Sequence, residues 1–140
     1  MKDKTFAIIK PDAVNKGYTG KIYDRILQAN FNIIGAKLLQ MTPEKAKEFY
    51  SVHKDKPFFN DLIDFMTSGP SMVLALQKEN AVQSWRDTIG ATNPEEAIED
   101  TIRKDFASNV QENAVHGSDS DENAQKEIAF FFIDSELLSN

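Results

Sequence analysis

Asn113-Ala114-Val115-His116-Gly117-Ser118-Asp119-Ser120-Asp121 sets a histidine directly before a glycine and a run of hydroxyls and carboxylates. With its ordinary pKa of about 6.5, an imidazole offers a nucleophilic nitrogen near neutrality without a strong base beside it. Gly117 removes a side chain where a bulky substrate would approach, Ser118 and Ser120 bring hydroxyls, and Asp119 supplies an anchor or a helix cap. The competing reading is a plain turn, since Gly, Ser and Asp are turn formers and a histidine among them needs no chemistry. The elements on either side decide between the two.

Composition bounds the choice. The chain has 140 residues and a mass of 15.8 kDa, the size of one domain (residues 1–140) with a real core. A hydrophobic share of 41% and a charged share of 27% are those of an ordinary globular protein. No apolar run reaches membrane-span length, and Met1-Lys2-Asp3-Lys4 leads straight into a strand-like segment, so a cytoplasmic protein without a membrane partner is expected. There is no cysteine, which rules out disulfides, a thiolate nucleophile and a sulfur-based zinc site. With two histidines a protein-built metal site is not expected, and any metal should be a hard ion brought in by substrate. The net charge of -6 and pI near 4.9 argue against a nucleic-acid surface. A small phosphate ligand would need a local cluster of cations, which singles out the only arginines, Arg25, Arg86 and Arg103.

Outward from the quoted stretch, periodicity and punctuation predict the elements. Residues 5–9 read as a buried strand ended by Lys10-Pro11-Asp12, which puts Lys10 at its carboxyl edge. Gly17 and Gly20 bracket a loop, and Ile22, Tyr23, Ile26, Leu27 and Ala29 form a helical stripe ending at Asn30. Residues 31–41 read as a strand with a bulge at Gly35, and Thr42-Pro43 as a capped helix start carrying Ala46, Phe49, Tyr50 and His53. A short helix over residues 58–66 follows. Tyr50, Phe58 and Phe59 gather rings that could meet a flat ligand. Residues 71–76 read as a third strand. Asn80 then caps a helix with Val82, Trp85 and Ile89 inward, closed by Gly90. Asn93-Pro94-Glu95-Glu96 is a helix start with reciprocal capping, residues 101–106 a loop or short helical turn, residues 120–126 a short helix, and residues 128–133 the fourth strand. This order predicts an α+β sandwich with helices on one face of a small sheet.

Several motifs now stand in one order: Ile9-Lys10-Pro11-Asp12, Lys56-Pro57-Phe58-Phe59, Ser68-Gly69-Pro70, Thr92-Asn93-Pro94, Thr101-Ile102-Arg103 and Asn113-Ala114-Val115-His116-Gly117-Ser118-Asp119. Over residues 5–132 the chain resembles the nucleoside diphosphate kinases. The resemblance implies a ferredoxin-like α+β sandwich: a four-stranded antiparallel sheet with helices packed on it. It also implies an enzyme that moves the γ-phosphate of a nucleoside triphosphate, mainly ATP, to nucleoside diphosphates by a ping-pong route through a phosphohistidine, so maintaining NTP and dNTP pools. Carried over residue by residue, His116 is the nucleophile and Glu127 its orienting partner. Lys10, Tyr50, Arg86, Thr92, Arg103 and Asn113 match phosphate and ribose contacts, Phe58 the base-stacking ring, and Val110 and Gly117 the close wall. Mg²⁺ would come with the nucleotide. A homo-oligomer is also implied, and because the chain stops soon after Leu138 where many members carry a longer tail that packs on neighbouring subunits, a tetramer is favoured with a hexamer the alternative. Arg25 and His53 gain no support and stay structural or surface residues.

Glu99-Asp100 departs from the Pro-Gly that members commonly carry before Thr101, adding negative charge near Arg103 and putting the shape of that loop in question. Asp121-Glu122 extends the acidic run, with favourable charge at a helix start as its only account. Two rival functions are an RNA-binding sheet, suggested by Phe130-Phe131-Phe132 but opposed by the pI, and an inactive nucleotide-sensing relative, opposed by the full set of catalytic positions.

Overall fold

A computed structural model describes residues 3–138; the opening Met1-Lys2 lies outside it. Its sheet is built on β1 (Lys4–Ile9), the strand read first from the sequence. On one side β1 pairs with β3 (Ser71–Gln77), which in turn pairs with β2 (Asn32–Leu39); on the other it pairs with β4 (Val115–Gly117). The order is β2-β3-β1-β4 and every neighbouring pair is antiparallel, the ferredoxin-like α+β arrangement expected. The register of β2 on β3 shifts between Ile33 and Gly35, so the expected bulge is present. A Cβ on Gly35 would come within 3.0 Å of Leu137 and Phe132, so the glycine lets the end of the chain pack on β2.

Alternation along β1 divides the core. Ala7 and Ile9 face a layer made by α2 (Thr19–Gln28) and α5 (Ala81–Ile89), whose Ile22, Ile26, Trp85 and Ile89 are buried against Leu74 and Leu76. Phe6 and Ile8 face a second layer from α3 (Pro43–Phe49), α4 (Phe59–Met66) and α7 (Asp121–Phe131), which supply Ala46, Ile63, Met66, Ile128 and Phe131. Helices therefore cover both faces, and the expectation of a single covered face is corrected. Both faces of β1 and β3 are apolar, and a one-sided arrangement would leave one of them in water.

Several local expectations change. The apolar run over residues 128–133 is not a strand: Ala124, Ile128 and Phe131 are buried at the i, i+4, i+7 spacing of a helix, and the Phe131 ring stacks on Phe6 with centroids 5.3 Å apart. The fourth strand is the central stretch itself, a three-residue segment aligned Ala7↔Gly117, Ile8↔His116 and Ile9↔Val115. Pro11 does not merely end β1 but opens a short α1 (Pro11–Asn15), because a proline has no N–H to lose at a first helical position. Gly20 lies inside α2 rather than in a loop. Asn80 precedes α5 with φ 53 and no side-chain capping bond, and the Pro94 start yields only a three-residue 3-10 turn, capped by Asn93 as expected. α6 (Ile102–Phe106) is capped by Thr101. At the start of α7 Ser120 accepts from the Asn123 amide, with Asp121 and Glu122 in its first turn, the favourable charge placement anticipated above.

Candidate active site

β4 is an edge strand, and its pleat decides what the site can be. Val115 packs into the α2/α5 layer, so His116 projects to the opposite face, where its ring meets Phe6 and Phe49 at centroid distances of 5.9 and 5.8 Å. There α7 brings up Glu127, whose Oε1 lies 2.8 Å from His116 Nε2. The same oxygen accepts the hydroxyl of fully buried Ser118 at 2.7 Å. A carboxylate can only accept, so Nε2 carries a proton, and in the neutral ring Nδ1 keeps its lone pair. Nδ1 has no hydrogen-bond partner among the described residues. Behind the strand Trp85 Nε1 donates to the His116 carbonyl at 3.1 Å. A Cβ on Gly117 would lie 2.9 Å from Trp85 Cδ1 and 3.1 Å from Ile89 Cδ1. Gly117 does line the cleft, but what its missing side chain makes room for is the tryptophan, not a substrate.

The strand is aimed by a strained turn. Ala114 has φ 73, and the Val115 amide donates to the Asn113 carbonyl at 2.8 Å, closing a γ-turn of the rare positive-φ kind. Both its peptide groups are held: the Lys10 amide donates to Ala114 O at 2.8 Å, and Ala114 N donates to Asp12 Oδ2 at 3.1 Å. Burial, opposed by that amide and by Lys10, raises the Asp12 carboxyl above its usual range.

Cations converge on the histidine. Lys10 is 9% exposed, donates from Nζ to Asn113 Oδ1 at 2.8 Å, and is pushed down to about 8 by burial and the Arg103 charge, with Asp12 opposing. Asn113 in turn donates to the Thr92 carbonyl at 3.2 Å. Arg103 is held by the carbonyls of Gly90 at 3.0 Å and Val115 at 2.9 Å, and burial followed by the neighbouring Arg86 lowers it to about 10. Arg86 is exposed on α5, and its guanidinium has no ion pair or hydrogen bond among the described residues. The Tyr50 hydroxyl is buried without a partner, and burial with the Glu127 charge pushes its pKa up. Like-charged Lys10, Arg86 and Arg103 destabilise one another until an anion fills the space between them.

Two adjoining cavities share Thr92, Arg103, His116 and Gly117. One, of about 580 Å³, adds Arg86; the other, of about 630 Å³, adds Lys10, Tyr50, Phe58, Val110, Asn113 and Glu127. Phe58 and Val110, 47% and 55% exposed, flank a further slot of about 360 Å³ beside Leu62. Every residue that the resemblance carried over to the site thus lines one connected region, while Arg25 and Phe59 line none of these cavities. Sequence reading assigned no role to Asp12, although it stands in the Lys-Pro-Asp motif, nor to Ser118 as the second donor to Glu127 or Trp85 as the support of His116. It also set His53 aside, which lines the larger cavity with its ring 5.5 Å from Phe58 and 6.5 Å from Tyr50. His53 sits five residues before Phe58, the only local hint of that contact.

Comparison with known proteins agrees with this geometry. The family model for nucleoside diphosphate kinase matches residues 3–137. The nucleoside diphosphate kinase of Geotalea uraniireducens is 54% identical over 136 residues, spanning 97% of this chain and 99% of its own. That of Salinibacter ruber is 51% identical over 138 residues, spanning 99% and 97%. A crystal structure of the Aquifex aeolicus nucleoside diphosphate kinase superposes with a TM-score of 0.95 at 45% identity, covering 97% of this chain and 99% of that one. The Halobacterium salinarum nucleoside diphosphate kinase, in complex with CDP, superposes with a TM-score of 0.94 at 36% identity, covering 100% and 93%. With the family model matched along nearly its whole length and these relatives, the chain belongs to the nucleoside diphosphate kinase family, enzymes that pass a phosphoryl group between nucleoside tri- and diphosphates.

Proposed function

We propose that this chain, as one domain over residues 1–140, transfers the γ-phosphate of a nucleoside triphosphate, mainly ATP, to nucleoside diphosphates by a ping-pong mechanism, with His116 carrying the phosphoryl group between half-reactions. The observation that carries the proposal is the pairing of His116 Nε2 with Glu127, which leaves Nδ1 as an unprotonated nitrogen with no protein partner in a residue that lines both cavities. Nδ1 attacks the γ-phosphorus, the bond to the bridging oxygen breaks, and the diphosphate leaves with that oxygen. A second diphosphate then takes the phosphoryl group from Nδ1 in the same pocket. Glu127 holds the ring in its tautomer and stabilises the charge that develops on it. Lys10, Arg86 and Arg103 neutralise phosphate oxygens, and the partnerless Tyr50 hydroxyl is free to donate to one. Asn113 and Thr92 meet the ribose and phosphates, Phe58 stacks on the base, and Val110 and Gly117 close the wall. The relative solved with CDP holds a ligand of the class proposed here.

Among the described residues no three Asp, Glu or His side chains gather to hold a metal, so Mg²⁺ fits this site as an ion carried by phosphate oxygens and water. Bound in that way it would neutralise charge on the transferring group. The proposal extends to maintenance of NTP and dNTP pools in the cytoplasm, where such nucleotides are used, and to a homo-oligomer with a tetramer favoured over a hexamer; light scattering distinguishes the two. No helix among the described residues is long and apolar enough to cross a membrane.

Steady-state kinetics test the mechanism. Double-reciprocal plots at several acceptor concentrations should run parallel, and His116→Ala should lose turnover while keeping the wild-type fold. Intersecting lines, which require donor and acceptor to be bound together, would remove the phosphohistidine route.

A further inference from the structure

We propose that Arg25, remote from the cleft on α2, is a positioning residue for Arg103. The proposal rests on the phosphate-binding role given to Arg103 above. A single guanidinium grips both ends of the short segment that carries that arginine. Arg25 Nη1 pairs with Asp105 Oδ2 at 2.7 Å, Nη2 donates to the Asp100 carbonyl, and the guanidinium carbon lies 5.8 Å from the centre of the Phe106 ring. Between these anchors stand Thr101, whose hydroxyl caps α6, and Arg103 itself.

Inside the segment Ile102 is fully buried in the α2/α5 layer, while its flanks are held by Arg25, by the Thr101 hydroxyl on the Ile98 carbonyl and by Phe106 against Tyr18. α6 has five residues, too few to be stable on its own propensity, so tertiary anchors set its direction. Asp100 adopts φ 70, the left-handed region that most side-chain-bearing residues avoid and aspartate visits only occasionally. The Arg25 bond to the Asp100 carbonyl holds that peptide in place. The fit downstream leaves little slack: a Cβ on Gly90 would come within 2.6 Å of Thr101 Oγ1, and Arg103 must reach the carbonyls of Gly90 and Val115 together. A shift at residue 100 or 105 therefore moves the Arg103 guanidinium relative to His116, whose strand supplies the Val115 carbonyl. An ordinary surface ion pair would matter little. Here the side chain is 23% exposed and its forked donors reach a carboxylate and a backbone carbonyl at once, which a lysine cannot reproduce. Arg25 reaches the backbone carbonyl of Asp100, and the carboxylate it pairs with is that of Asp105.

A double-mutant cycle tests the proposal, with kcat/KM for phosphate transfer measured in wild type, Arg25→Ala, Arg103→Ala and the double variant, alongside circular dichroism and thermal melting. Arg25→Ala should lower kcat/KM about ten-fold with the fold retained, yet by less than about two-fold in the Arg103→Ala background, because its effect runs through Arg103. Arg25→Lys should fall between, and Asp100→Gly, which adopts the left-handed backbone unaided, should restore part of the loss in Arg25→Ala. Should Arg25→Ala fail to fold, the same cycle with Arg25→Lys applies, its smaller loss again vanishing without Arg103. Unchanged activity in Arg25→Ala, or the same fold-loss in both backgrounds, overturns the brace. An Arg103→Ala variant with wild-type activity overturns it too, and places the fault in the role given to Arg103.

Discussion

Replacing Lys10 by methionine should cost most of the activity and yet relieve the folded protein of a buried charge. The ammonium is 9% exposed, and burial with the Arg103 charge lowers it to about 8 from the ordinary 10.5. Because the folded value lies below the unfolded one, the unfolded chain binds the additional proton between them, and the Lys10 contribution to stability rises with pH across that window. Below about 8 both states are protonated and the whole penalty is present. At about 1.4 kcal/mol per pH unit the gap amounts to about 3 kcal/mol. Methionine removes that penalty but leaves Asn113 Oδ1 without its donor, a loss of about 1–3 kcal/mol, so the net gain near pH 7 is about 0–2 kcal/mol. The pH dependence isolates the titration from this offset. Urea unfolding of both proteins, at one protomer concentration, gives a stability difference at each pH in which titrations common to both chains cancel. Wild type minus variant should climb by most of the 3 kcal/mol, about 2 kcal/mol or more, between about pH 7 and 10. A flat difference over that range would refute the buried, charge-crowded Lys10 described above. The same crowding bears on function: a polyphosphate beside Lys10 restores its affinity for a proton, so nucleotide binding near pH 8 should take up protons from the buffer.

Gly117→Ala should lose about 1–3 kcal/mol by forcing Trp85 and Ile89 aside, seen as a Tm lower by roughly 2–4 °C per kcal/mol, with activity falling because Trp85 supports the His116 carbonyl; an unchanged Tm would mean the tryptophan yields freely. Arg103→Lys should lower kcat/KM ten-fold or more, about 1.4 kcal/mol of transition-state stabilisation per decade, since one ammonium cannot hold the Gly90 and Val115 carbonyls together and still meet a phosphate. Unchanged turnover in that variant would take Arg103 out of the site. Purine and pyrimidine diphosphates, ribo and deoxy, should be accepted within about two orders of magnitude of each other, because the slot between Phe58 and Val110 offers stacking, which is tolerant of base identity. A much larger preference for one base would show a polar group reading its edge.

Local signals were strong where one element satisfied its own pattern. The buried run of β1, the stripe of α2, the Gly35 bulge and the Thr42 and Asn93 capping positions could all be seen along the chain. Residues 128–133 misled because a continuous apolar run fits a buried strand or a helix buried on most sides, and only Phe6 and Phe49 packing against Phe131 settles it. Conversely, β4 has three residues inside a stretch rich in turn formers, and its strand character comes from pairing with β1 rather than from any propensity of its own. The site residues could be named because motifs fix their types in order. What no motif displays is the support beneath them: Ser118 on Glu127, Trp85 on the His116 carbonyl, Asp12 on the Ala114 amide. Those contacts join residues remote in sequence, or, for Ser118 and Glu127, on opposite sides of a turn and the start of a helix, and they exist only once the sheet has formed.

Incubation of the purified protein with γ-labelled ATP and Mg²⁺, without acceptor, tests the central claim most directly. The account predicts stoichiometric label on the protein in a bond that is acid-labile and alkali-stable, as a phosphoramidate is, discharged by any nucleoside diphosphate and absent from His116→Ala. Glu127→Ala should still take up label, more slowly, since it orients the attacking nitrogen without supplying it. Label that persists in His116→Ala, or a wild-type enzyme that turns over without ever carrying phosphate, would contradict it.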